Sequence, residues 1–183
     1  MKKLFIYLFC MFWSNILLAQ AAVMPGQIPA IQGNTITMSS YSGKKIVVAV
    51  CSAAAPDVAR LKLLDTLQKS NPQNIQVIVM PIQDFDGTAV NNKLKTQLID
   101  SLQLSVAIAV PGKGQRAAGS SQQILLAWLT NKNSDIHFDV DIENPFQVFV
   151  LSESGMVYAV LHGAGDVSAG ILKTVLSAKS PDQ

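Results

Sequence analysis

With 183 residues, 49% of them apolar and 14% charged, the chain has the length and composition of one packed domain, which favours a globule over disorder. Its 14 basic and 12 acidic residues leave a net charge of only +2, without the basic run that nucleic acid or an anionic membrane surface would select.

The N-terminus reads Met1-Lys2-Lys3, then apolar from Leu4 to Leu18 with interruptions only at Ser14 and Asn15, then Ala19-Gln20-Ala21-Ala22. A short basic region, an apolar run below the roughly 20 residues a bilayer requires, and small side chains at Ala19 and Ala21 form the pattern of a secretory signal. The sequence therefore predicts a signal peptide over residues 1–21 and an exported domain over residues 22–183, periplasmic or secreted and free of the membrane after cleavage. Cys10 follows the bulky Tyr7, Leu8 and Phe9, which does not suit a lipid acceptor. Cleavage takes Lys2 and Lys3 away, leaving 12 basic against 12 acidic residues, and takes Cys10 away, leaving Cys51 as the single thiol. An unpaired cysteine in an oxidising compartment is buried and inert, reactive, or joined to another chain.

Ile46 to Val50 and Ile75 to Met80 are apolar, β-branched runs without polar alternation, as expected of buried central strands. Between them, Val58, Leu61, Leu63 or Leu64, and Leu67 recur at helical spacing from Pro56 to Lys69, with Pro56 suited to a first turn. Strand, helix and strand at this length predict a parallel βαβ unit. After a loop through Gly87, Val90, Leu94, Leu98 and Leu102 predict a second helix, and Val106 to Val110 a short strand. Pro111 to Ser121 carries Gly112, Gly114 and Gly119 and reads as a mobile surface loop. A short helix around Gln122 to Thr130 and a polar connection from Asn131 to Asn144 follow. Phe146 to Leu151 and Met156 to Leu161 flank Ser152-Glu153-Ser154-Gly155, an antiparallel hairpin signal. Asp166 can cap a last helix to about Ala178, with Val167, Ile171, Leu172 and Val175 as its apolar stripe. The predicted class is α/β with a thioredoxin-like fold: a central mixed sheet flanked by helices, built from a βαβ unit, an antiparallel hairpin and a C-terminal helix.

Four segments, in order, resemble glutathione peroxidases and their thioredoxin-fold relatives: Tyr41-Ser42-Gly43-Lys44-Lys45-Ile46, Met80-Pro81-Ile82-Gln83-Asp84-Phe85, Trp128-Leu129-Thr130 and Phe146-Gln147-Val148-Phe149. The likeness spans roughly residues 28 to 178. It implies a peroxidatic residue at the turn into the first helix: counting back from Pro56 puts Ser52 there, and counting forward along the strand leaves Cys51 just short of it. The family's glutamine falls at Asp84, and its tryptophan and asparagine at Asn144 and Pro145. On this resemblance Cys51, Asp84 and Asn144 are the candidate catalytic residues, the substrates are a hydroperoxide and a thiol reductant such as glutathione or thioredoxin, and no bound cofactor is required. Thioredoxin-like proteins also place a cis-proline before the hairpin beside the active cysteine, a position held here by Pro145.

Thiol chemistry needs a thiolate, which a helix N-terminus or a cation favours. Ala53, Ala54 and Ala55 offer no cation, and a nearby Asp84 would raise the thiol pKa. Two readings follow: a thiol-dependent peroxidase, or a degenerate thioredoxin-fold binding or structural module with an inert Cys51. His137 and His162 are far apart and lack a local metal motif. Asp135, Asp139, Asp141 and Glu143 read as a solvated connection. Lys113 and Arg116 lie in a loop without the ending of a phosphate cradle, and no Gly-x-Ser-x-Gly elbow surrounds Ser52.

Overall fold

The computed structural model describes residues 24–85, 91–131, 138–163, 165 and 168–180. The expected signal peptide, Gly87, Val90, Asp135, His137, Asp166 and Val167 lie outside the described residues.

The sheet is built around β3 (Lys45–Ser52), which is buried along its whole length. β4 (Ile75–Ile82) pairs with it in parallel, Val47 opposite Val77 and Cys51 opposite Pro81. α1 (Val58–Ser70) makes the crossover between them. β5 (Ala107–Ile108) extends the sheet beyond β4, again in parallel. β6 (Val148–Leu151) runs antiparallel on the other side of β3, and β7 (Val157–Leu161) antiparallel to β6. The strand order is β5-β4-β3-β6-β7. With α4 (Ala169–Ser177) closing the chain, this is the thioredoxin-like arrangement that the sequence predicts.

Successive side chains of a strand point to opposite faces, and the two cores follow that rule. Val47, Ala49 and Cys51 of β3 join Val77 and Val79 of β4, Leu61 and Leu64 of α1, and Leu172 of α4. Leu64 therefore takes the helix stripe, with Leu63 only packed along its edge. Ile46, Val48 and Val50 face the other way, against α3 (Ile124–Leu129) and the N-terminal strands. Those strands, β1 (Gln27–Pro29) and β2 (Thr35–Thr37), form a small antiparallel ribbon whose short length left no periodic signal. α1 starts two residues later than Pro56 suggests, because Asp57 is its cap and accepts the Arg60 N–H at 3.1 Å. α4 is capped by Ser168, which accepts the Ile171 N–H.

Three expectations change. β4 runs on through Pro81 to Ile82, because the missing N–H falls past the β5 pairing, which ends at Val79 opposite Ile108. The second helix is brief: α2 (Asn91–Lys95) passes into a π-helical turn, Thr96–Ser101. The Pro111 to Ser121 segment is ordered, with a 3₁₀ turn over Arg116–Ser121 and bridges from Gly112 to Ile82 and from Lys113 to Gln122.

Candidate active site at the end of the central strand

β3 ends at Ser52, and its neighbours bring the candidate residues to one end of the sheet. The Ala53 N–H donates to the Ile82 carbonyl at 2.8 Å, which carries the pairing with β4 past Cys51 towards Asp84. On the other side, the Val50 N–H donates to the Gln147 carbonyl at 2.9 Å, so that the antiparallel register continues from Ala49 opposite Val148 towards Pro145 and Asn144. Cys51 near the end of β3, Asp84 just after β4 and Asn144 in the lead-in to β6 thus lie towards one end of the sheet. The Ser52 hydroxyl accepts the Ala55 N–H at 3.0 Å and closes the turn into α1. Ser52 is the turn's cap, and Cys51 is left as the last thiol-bearing position of the strand.

The local chemistry of each is spoken for. Cys51 is 4% exposed and packs within the core between the sheet and α1. Burial pushes its thiol up to about 12, since a thiolate stripped of water has no compensating partner there. Burial alone raises it, and no contribution from Asp84 enters. At neutral pH the thiol is therefore held in its protonated form. The Asp84 carboxylate accepts the Gly114 N–H at 2.6 Å, tying the end of β4 to the glycine-rich loop. Asn144 accepts the Phe146 N–H at 2.9 Å and donates its amide to the His162 carbonyl, an Asx turn that starts β6. Both side chains that stand at the family's assisting positions hold backbone.

The Asn144–Pro145 bond is trans, as there is no cis peptide bond among the described residues, so the expected cis-proline is absent; the Asx turn delivers the chain into β6 instead. Arg116 donates to the Thr130 carbonyl and to Asp139 at 2.6 Å, and its own N–H is accepted by Asp141 at 3.0 Å. That accounts for part of the acidic cluster: Asp139 and Asp141 clamp the glycine-rich loop. The Arg60 guanidinium lies 4.5 Å above the Phe146 ring, a contact between α1 and the lead-in to β6 that periodicity does not reveal. Among the described residues no group of three or more His, Cys, Asp or Glu side chains is placed to hold a metal.

No protein-family model matches this sequence, and no curated protein matches it. Solved structures do share its architecture. T. cruzi GPX1 is 15% identical with a TM-score of 0.60, over 82% of this chain and 90% of that one. A DsbF homologue from Corynebacterium diphtheriae is 14% identical with a TM-score of 0.61, over 85% and 84%. The pneumococcal exposed lipoprotein thioredoxin Etrx1 from Streptococcus pneumoniae is 12% identical with a TM-score of 0.55, over 82% and 96%. At these identities the likeness is one of architecture, and what it establishes is that the chain has the thioredoxin-like fold.

Proposed function

We propose that this chain is a thioredoxin-fold module that acts by binding, its thiol chemistry having lapsed. The burial of Cys51 in an apolar layer carries this reading: 4% exposed, with its thiol raised to about 12 by that burial, it is held away from the thiolate form that nucleophilic attack requires. Asp84 and Asn144 support it, because their polar atoms are engaged with backbone at Gly114, Phe146 and His162. We also propose that the protein is exported, on the strength of its first 22 residues; the similarity to an exposed lipoprotein thioredoxin is in keeping with that.

The position of Cys51 favours a second reading, a glutathione peroxidase-like enzyme that reduces hydroperoxides with glutathione or thioredoxin and no prosthetic group. Cys51 lies one residue before the turn into α1, with Asp84 just after β4 and Asn144 before β6. In such a cycle the Cys51 thiolate would take the distal peroxide oxygen to give a sulfenic acid and release water or alcohol. Two equivalents of external thiol would then restore the thiol, leaving a disulfide and water. The deciding experiment is consumption of hydrogen peroxide and cumene hydroperoxide with either reductant, comparing wild type with Cys51→Ser. The binding reading expects equal, background rates. A rate in wild type that is abolished in the variant overturns it in favour of the peroxidase.

A further inference from the structure

A concavity lies away from Cys51. α1 is about 20 Å long; Cys51 lies before its N-terminus, and a cavity of about 600 Å³ opens along its C-terminal half, against α4. That volume falls within the range of small-molecule sites, which are mainly apolar with a few placed polar groups. The walls are Leu63 and Leu67 of α1, Ile75 at the start of β4, and Leu172 and Leu176 of α4.

Three charged residues line it. Lys173 comes from exposed α4 surface, Glu153 from the β6–β7 turn, and Lys45 from the first position of β3. Lys45 is only 7% exposed. Its ammonium donates to the Leu176 carbonyl at 2.9 Å and the Ala178 carbonyl at 2.6 Å, and lies 5.4 Å from the Tyr158 ring centroid. An ammonium has three N–H donors, so these two bonds leave one uncommitted. Glu153 accepts the Ser180 hydroxyl at 2.6 Å. Lys44 adds a further positive charge at the neighbouring Asn71–Asn74 turn, where it donates to the Pro72 carbonyl at 2.8 Å. Basic groups thus outnumber the single acidic one around an apolar cleft.

We propose that the cleft between α1 and α4 binds a small amphiphilic carboxylate, its apolar body between Leu67 and Leu176 and its carboxylate received by Lys45 with Lys173. A neutral ligand would bring no counter-charge to Lys45 and Lys173, and a cationic one would meet two lysines. The inference does not depend on whether Cys51 reacts.

The test is calorimetric titration of the purified protein with decanoate below its micellar range, with 1-naphthoate as the aromatic alternative and decanol and decyltrimethylammonium as head-group controls. One decanoate or one naphthoate should bind per chain, the better of the two identifying the body as alkyl or aryl. Decanol and the ammonium should bind about tenfold more weakly or not at all. Leu67→Trp, which fills the cleft, and Lys173→Glu, at an exposed position, should each weaken the carboxylate about tenfold with an unchanged far-ultraviolet spectrum. Saturable binding of neither carboxylate, decanol as tight as decanoate, or full affinity in both variants would each overturn the proposal.

Discussion

Cys51 shows how little a strand's penultimate residue reveals of itself in sequence. Its approach to a helix start was legible, because Ile46 to Val50 and the Pro56 region mark strand and helix without ambiguity. Which face it takes was not, since a strand without polar alternation gives no sign of its two sides; only the pairing with β4 places it with Val47 and Ala49 towards α1. That placement makes a stability prediction. Cys51→Ala should cost about 1 kcal/mol for lost packing, while Cys51→Ser, which buries a hydroxyl in the same apolar layer, should cost about 1–3 kcal/mol. Urea unfolding should rank the proteins wild type, alanine, serine; a serine variant more stable than the alanine one would mean the thiol site is polar. Gly114 is a second residue whose role is invisible without neighbours. A Cβ there would come 2.7 Å from the Ile82 Cγ2 atom and 3.3 Å from Leu126, so Gly114→Ala should destabilise by about 1–3 kcal/mol, read from the urea midpoint.

At the scale of elements, the helices and long strands were readable because burial imposes period: the βαβ unit, the hairpin with Gly155 at φ 89°, and the short helix ending near Thr130 all carry it. The joints were not. Asp84, Asp139 and Asp141 look solvated in a linear reading, yet they order the glycine-rich loop by accepting N–H groups and a guanidinium from residues 23 to 30 positions away. Asp65 makes a comparable joint inside α1. It is buried at 6% exposure, accepts the backbone N–H and the hydroxyl of Ser105 at 2.7 Å each, and pairs with Lys69 at 2.6 Å. Burial raises its pKa, but the bonds from Lys69 and Ser105 together outweigh that and hold it below the ordinary value. The folded state therefore binds this proton more weakly than the unfolded chain does. Its stabilisation is present above the unfolded carboxyl value of about 3.9 and is lost as pH falls through the lower folded value. Asp65→Asn should cost about 1.5–3 kcal/mol at pH 7, and the gap to wild type should narrow towards pH 3. A gap that stays constant between urea titrations at pH 7 and pH 3 would remove Asp65 as the cause.

For the whole molecule, the decisive feature is that Cys51 belongs to the central strand of a sheet covered on both faces. β3 has β4 on one side and β6 on the other, and its side chains meet α1 below and α3 above. A peroxidase needs its cysteine reachable in the folded protein, by a local opening of the turn into α1 at least. A module whose thiol is part of the core exposes it only when the sheet comes apart, since the central strands of a domain open last, with a free energy near that of global unfolding. The two readings therefore differ in solution before any catalysis is measured. Pulse labelling of Cys51 with a maleimide across a urea series should give a midpoint coincident with that of the far-ultraviolet circular dichroism, in the purified protein and equally in Gly114→Ala after its own midpoint has shifted. Labelling that runs ahead of unfolding, at urea concentrations where the spectrum is still native, would show that the turn opens on its own. Local opening of that kind would return Cys51 to the reach of a peroxide, and the loss of wild-type rate in Cys51→Ser would then be the expected companion result.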